Sequence, residues 1–280
     1  MFFSDDELFR LINEDVPYFD LTSELLNIGE KQGTIVFTTR HDTVISSTEE
    51  AKRILEKLGA SVEFFLPTGT FLEKGNVFLK AKGSASSLHM AWKVSQNILE
   101  YASGIATRMK QLTDKAKNIN PDVEIVTTRK QFPQTKKLSI KAVIAGGGYP
   151  HRLGLSETIL VFPQHTVFFG GLDNFLKILP TIKQKSPEKN ITIEAKTIDD
   201  AKKIILAKAD ILQLDKFSCA DVEHLVSFAK NKAIPIKISA AGGININNIE
   251  EYAKTGVDFI VLSCVYFAKP ADIDVKIYAD

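Results

Sequence analysis

Cationic side chains and glycines crowd into one stretch of this sequence. Between Arg129 and Arg152 lie Lys130, Lys136, Lys137, Lys141 and His151, with no Asp or Glu among them. Guanidinium forks bind carboxylate or phosphate at two points, and lysine adds point charge. The chemistry on offer is the holding of a multiply charged anion. Gly146, Gly147 and Gly148 stand just before His151 and are expected to turn backbone N–H groups toward the same ligand. A solvated basic turn is the competing reading. The stretch is not a nucleotide P-loop, because no Gly-Lys-Ser/Thr follows, and its glycine spacing does not match the dinucleotide fingerprint.

These residues need elements to position them. Val123, Ile125 and Val126 form an apolar run that delivers Arg129 and Lys130 to a strand end, and a short helical pattern follows from Leu138 to Ile144. Beyond Pro121, strand-like runs fall near 123–127, 158–162, 190–195, 210–214, 234–239 and 257–262. Helical segments lie between them at 138–145, 172–185, 198–208, 220–231 and 245–255. Such alternation predicts a parallel sheet with crossover helices. Six strands are too few for a complete eight-fold barrel. The expected fold is therefore an open or incomplete α/β barrel, with a doubly wound sheet as the alternative.

Active sites of parallel α/β folds collect at the carboxyl ends of the strands. Glu194 lies within the run 190–195, and Asp215 ends the run 210–214. Ala240-Ala241-Gly242-Gly243 ends the run 234–239, with a helix expected at once, so its backbone amides are candidates for a phosphate cradle. Ser263-Cys264 ends the last run. Each has a plainer alternative. Glu194 can pair with Lys196, Asp215 can cap the following helix, and Gly242-Gly243 can be a tight turn. His165 is expected to be a satisfied core histidine.

Upstream of Pro121 the pattern predicts a small α+β unit. Ser4 and Glu7 have the spacing of a capping box. A strand is expected at 33–39, continued by Val44-Ile45, then a helix capped by Ser47 or Thr48 and stopped by Gly59. Short strands are expected at 61–66 and 76–82, around the turn Lys74-Gly75-Asn76. From Ser84 to about Asn118 apolar residues recur at helical steps, with Gly104 a point where the helix can break in two. Trp92, on this helix, is expected to pack rather than to bind.

Composition sets limits. Net charge is +1, so no global field recruits nucleic acid or membrane. The apolar fraction of 44% suits a globular chain with a sizeable core, and the length of 280 residues suits one or two domains. The two cysteines, Cys219 and Cys264, lack metal-ligand spacing and suit a reducing compartment. The acidic N-terminus does not read as a secretory signal, and no apolar run approaches the ~18 residues of a membrane span. A cytoplasmic protein is expected.

Thr-Arg-Lys (128–130), Lys-Ala-Val (141–143), Gly-Gly-Gly (146–148), His-Arg (151–152) and Gly-Leu (154–155) occur in an order that resembles the signature of the quinolinate phosphoribosyltransferase (nicotinate-nucleotide pyrophosphorylase) family. The strings Asp-Leu-Thr-Ser (20–23) and 97–107 extend the resemblance over nearly the whole chain. It implies an N-terminal open α/β sandwich, residues 1–105 plus 268–280, and a C-terminal incomplete α/β barrel of about six strands, residues 106–267. It implies Arg129, His151 and Arg152 around substrate carboxylates, Lys130 near pyrophosphate, and Glu194 and Asp215 near ribose and metal. Ala241, Gly242, Gly243, Ser263 and Cys264 are then expected around the 5-phosphate of phosphoribosyl pyrophosphate, with Mg²⁺ on Glu194 and Asp215. The family also implies a homodimer with shared sites, in which the Lys93 position reaches into the partner.

The departures cluster at the site. The family's arginine on the long helix is Lys93, and a substrate-contacting lysine is Phe162. Its Leu-Asp-Asn is Leu-Asp-Lys at 214–216, its Ser-Gly-Gly is Ala-Gly-Gly at 241–243, a glycine is Ser263, and a histidine is Phe267. These resemble the ModD branch, which is associated with molybdate transport. The expected activity is phosphoribosyl transfer from phosphoribosyl pyrophosphate to an aromatic acid-like acceptor other than quinolinate. The alternatives are a quinolinate enzyme of NAD synthesis and a non-catalytic anion- or nucleotide-binding protein.

Overall fold

The structure is a computed structural model that describes Met1–Asp280. In chain order its elements are α1 (Asp5–Asp15), α2 (Leu21–Leu25), β1 (Gln32–Thr39), β2 (Thr43–Val44), α3 (Thr48–Lys57), β3 (Ser61–Phe65), β4 (Phe71–Leu72), β5 (Val77–Ser84) and α4 (Ala85–Ile119). There follow β6 (Glu124–Thr127), α5 (Lys136–Ala145), β7 (Tyr149–Pro150), β8 (Ile159–Val161), α6 (Pro163–Thr166), α7 (Leu172–Lys185), β9 (Ile191–Ala195) and α8 (Ile198–Leu206). The chain closes with β10 (Ile211–Asp215), α9 (Cys219–Asn231), β11 (Lys237–Ala241), α10 (Ile249–Lys254), β12 (Phe259–Leu262) and β13 (Ile273–Ala279). It divides into two compact units. One comprises Met1–Lys110, Phe132–Gly147 and Val265–Asp280, the other Gln111–Gln131 and Gly148–Cys264. No helix is long and apolar enough to cross a membrane.

The first unit is built on an antiparallel sheet of order β13-β1-β5-β3, which the C-terminal strand rejoins with Ile277 opposite Ile35. Ile35 and Phe37 of β1 and Leu79 and Ala81 of β5 alternate into a core shared with Leu8, Ile54, Leu88 and Leu99. Trp92 packs against that core, and its indole N–H donates to Gln96. The Ser4–Glu7 capping box forms as the spacing predicts. Three local expectations are corrected. Val44 does not continue β1, because β2 pairs with β4 in a sheet of its own. Ser47 adopts φ 66° and makes no side-chain cap, and its N–H is taken by Thr68 Oγ1. The long helix is unbroken at Gly104, where a Cβ would overlap the carbonyl oxygen of Lys269. That glycine admits a close backbone passage rather than a kink.

Helix α5 also belongs to this unit, and it consumes part of the basic stretch. Lys137 pairs with Glu7 at 2.5 Å. Lys141 bridges Glu49 at 2.7 Å and the buried Glu50 at 2.5 Å. Thr68 donates its N–H and its hydroxyl to Glu49. Burial pushes the Glu49 carboxyl up, but the hydrogen bonds from Lys141 and Thr68 outweigh it and hold its pKa at about 2.

The second unit carries a curled parallel sheet of order β7-β6-β12-β11-β10-β9-β8. It is open, since its edge strands β7 and β8 do not pair, and its order decides between the two architectures left open by spacing: β8 to β12 lie side by side in sequence and β6 pairs with β12, the wrap-around order of an incomplete barrel rather than the central reversal of a doubly wound sheet. Its seven strands exceed the expected six by β7, a two-residue edge strand. Pro150 lacks a ladder donor and is tolerated at an edge, which hides the strand from a propensity argument. β11 runs 237–241 rather than 234–239, because Pro235 interrupts the apolar run before it can pair. The register sorts the side chains into two faces. Ile193, Leu212, Leu214, Ile238, Ala240 and Ile260 are buried on one, and α8 packs against β9, β10 and α9. On the other, Val126, Ala241, Val261 and Phe259 cluster, and Glu194 stands beside Gln213.

Candidate active site

All the strands of the second unit's sheet are parallel, so their carboxyl ends share one rim. Read in sheet order, that rim carries His151 and Arg152 after β7, then Arg129 and Lys130 beyond β6, then Ser263 and Cys264 after β12. Gly242 and Gly243 follow β11, Asp215 ends β10, Glu194 lies in β9, and Phe162 follows β8. Every site residue expected from the sequence is on this rim except Lys93. Lys93 is an exposed residue of α4 in the first unit, where it donates to Gln96 and lies 4.8 Å from the Trp92 ring centroid.

The cationic end is fixed by backbone pairing. The His151 N–H donates to the Thr127 carbonyl at 2.9 Å, extending the β6–β7 ladder. Arg129 and Lys130 are exposed, whereas Arg152 is 9% exposed. No carboxylate pairs with Arg152, and no protein acceptor takes a hydrogen bond from it. Burial, and then the charge of Arg129, lower the Arg152 pKa. Burial, and then the charge of Arg152, lower that of His151. Burial and the neighbouring guanidinium thus both disfavour the imidazolium form of His151. Gly146 and Gly147 do not contribute as expected. Their N–H groups close the C-terminus of α5 onto the carbonyls of Ala142 and Ile144.

The middle of the rim is a pair of loops. Thr128 and Ser263 join through their hydroxyls at 2.8 Å, tying the ends of β6 and β12. Gly242 and Gly243 adopt φ 88° and 80°, and a Cβ at Gly242 would press on Asp215 Oδ1. Glycine is therefore required there twice, by conformation and by approach. The helix expected to follow at once does not. Residues 244–248 intervene as a turn in which Asn245 and Asn248 donate to the Gly243 carbonyl, and α10 starts only at Ile249.

The acidic end is a closed network. Glu194 (8% exposed) and Asp215 (20%) both accept hydrogen bonds from Lys196 (45%), Glu194 at 2.9 Å. Gln213 Nε2 donates to the other oxygen of Glu194 at 2.8 Å. Burial opposes the Lys196 charge, but the hydrogen bonds to Asp215 and then Glu194 outweigh it and raise its pKa. The Glu194–Lys196 pairing foreseen as the plainer alternative is thus realised. Asp215 caps nothing, because Ser218 caps α9. The role of Lys196 as a bridge between Glu194 and Asp215 is not read from the sequence, although its place two residues beyond Glu194, just past the end of β9, makes the first of these contacts local.

No group of three or more His, Cys, Asp or Glu side chains is placed to enclose a metal ion. Two carboxylates do supply the hard oxygens that Mg²⁺ takes when substrate phosphates complete its shell, so the donor set fits a metal that arrives with its substrate. At the far edge, Phe162 stacks on His165 with centroids 5.8 Å apart, and the Phe162 N–H donates to His165 Nδ1 at 2.9 Å. His165 is exposed, which corrects its expected place in the core.

Sequence models of one family match most of the chain. "Quinolinate phosphoribosyl transferase, N-terminal domain" matches residues 20–103, and "Quinolinate phosphoribosyl transferase, C-terminal domain" matches residues 105–276. The chain is 38% identical over 280 residues to the "Putative pyrophosphorylase ModD" of Pasteurella multocida, covering 99% of this chain and 98% of that one. It is 33% identical over 277 residues to the protein of that name from Escherichia coli O157:H7, with 99% and 98% covered. Among solved structures, the nicotinate-nucleotide pyrophosphorylase from Francisella tularensis superposes with a TM-score of 0.88 at 25% identity, covering 99% of this chain and 98% of that one. Two family models that together span 20–103 and 105–276, on a fold shared at that TM-score, show that the chain belongs to the quinolinate phosphoribosyl transferase family.

Proposed function

We propose that the rim transfers a phosphoribosyl group from phosphoribosyl pyrophosphate to an aromatic acid-like acceptor other than quinolinate. One observation carries the reading: Arg152 is a 9% exposed residue whose charge is disfavoured by burial and by Arg129, with no carboxylate of its own. An unpaired buried cation is costly, and an anionic ligand is what offsets it. Arg129, His151 and Arg152 hold the acceptor's carboxylate, and Lys130 faces the leaving pyrophosphate. The turn at Ala241, Gly242 and Gly243, with Ser263 and Cys264 on the next strand, holds the 5-phosphate. Glu194 and Asp215 face the ribose hydroxyls and would hold Mg²⁺, which supplies charge neutralisation of the pyrophosphate. During transfer the C1–O bond to pyrophosphate breaks and a bond from the acceptor to C1 forms. The rim positions both partners and stabilises separated charge, so no nucleophilic side chain is required.

Calorimetry with phosphoribosyl pyrophosphate and Mg²⁺ tests the donor half. Wild-type protein is expected to bind, and Glu194→Ala combined with Asp215→Ala to bind at least about a hundredfold more weakly, given roughly 1.5–3 kcal/mol per charged hydrogen bond lost. Equal binding by the double variant overturns the assignment of these carboxylates.

A further inference from the structure

The Glu194–Asp215 pair has a cation of its own. Lys196 lies two residues beyond Glu194, just past the end of β9, and its ammonium reaches across to Asp215 at the end of β10. Both oxygens of Glu194 are engaged, with Lys196 on one and Gln213 on the other. Asp215 is held from behind by the glycine turn, where Gly242 leaves room for Oδ1. The position between the two carboxylates is therefore filled by a covalently tethered positive charge, and no third acidic side chain or histidine is present to favour an exchange.

We propose that Lys196 closes this pair to free divalent metal ions and yields it only to a metal ion that arrives with a pyrophosphate-bearing ligand. A free metal ion entering the pair strands the ammonium without a counter-charge. A metal–pyrophosphate complex brings anionic oxygens that accept the displaced ammonium. Lys196 carries a long stem and is 45% exposed, so it has the freedom to swing toward them. The consequence is an order of events: metal binding at the pair depends on the ligand, and Lys196 enforces that dependence. This rests on reading Glu194 and Asp215 as the donor-facing pair, but its test uses the metal alone.

The probe is Mn²⁺, followed by its electron paramagnetic resonance signal on the full chain without any other ligand. Wild type is expected to leave Mn²⁺ free, and Lys196→Met to bind it at least about tenfold more tightly. Adding Glu194→Gln to Lys196→Met should abolish the gain, which places the ion at the pair. Lys196→Gln serves the same purpose if the Met variant does not fold, and Lys196→Arg, which keeps the charge, should behave as wild type. Mn²⁺ bound by ligand-free wild type at a site lost with Glu194→Gln overturns the proposal, as does a folded, uncharged variant that gains no affinity. A gain of Mn²⁺ binding in Lys196→Met, with no phosphoribosyl pyrophosphate bound by wild type, leaves the exclusion of free metal by Lys196 standing and overturns the donor assignment and the ligand-coupled entry instead.

Discussion

Replacing Arg152 by methionine should stabilise the ligand-free protein by on the order of 1 kcal/mol while removing its affinity for carboxylate ligands. The two effects share a cause. Arg152 is 9% exposed as a residue, and burial and the charge of Arg129 both disfavour its guanidinium, which has no carboxylate partner. Unpaired buried charge destabilises a fold, and an apolar side chain of similar length removes that cost. The same charge is what a carboxylate would meet. Truncating one partner of a buried charge pair costs about 2–5 kcal/mol, so binding of an aromatic monocarboxylate such as nicotinate should weaken by roughly 30- to several-thousand-fold. Urea denaturation reads the first effect and calorimetry the second. A variant that is less stable than wild type and keeps its carboxylate affinity would show Arg152 to be structural.

The second large effect belongs to the first unit. Lys141→Met should destabilise the protein at pH 7 by about 3–5 kcal/mol, because it leaves the buried Glu50 and its neighbour Glu49 without their shared ammonium. The loss should shrink on acidification. The folded pKa of Glu49, about 2, lies below its ordinary value of 4.5. Its contribution is present in full above pH 4.5 and is lost as pH falls toward 2. Wild type therefore gives up stability over that window while the variant, lacking the partner, gives up less. Urea midpoints at pH 7 and near pH 3.5 check this. A difference between the two proteins that stays constant across that range would contradict the ion-cluster account.

What was legible in the sequence followed from patterns that act over a few residues. The capping box at Ser4 and Glu7 and the alternating strands of both units are of that kind. So is the placement of Glu194, Asp215 and Gly242-Gly243 at strand ends. What was not legible depended on partners distant in sequence. Lys137 and Lys141 read as members of one anion-binding stretch with Arg152, yet Glu7, Glu49 and Glu50 claim them in another unit. Gly104 read as a helix break because only the close passage of Lys269 explains it. Gly146 and Gly147 read as anion donors because a helix end competes for the same N–H groups. His165 read as a core residue, and its pairing with the Phe162 backbone at the start of the four-residue helix α6 is invisible to periodicity. The bridge from Lys196 to Asp215 needed the β9–β10 register before it could be seen.

Release of pyrophosphate from phosphoribosyl pyrophosphate, measured across aromatic mono- and dicarboxylates, tests the central claim most directly. In the proposed reading, Phe162 stands where the family resemblance implies a lysine on the substrate, and a charged hydrogen bond lost there is worth roughly 10- to 100-fold. A monocarboxylate acceptor should support release with kcat/KM in the ordinary enzymatic range, about 10⁴ M⁻¹s⁻¹ or above. Quinolinate should fall at least about tenfold below it. Quinolinate turning over in that range and exceeding every monocarboxylate would contradict the account and identify the acceptor as the dicarboxylate.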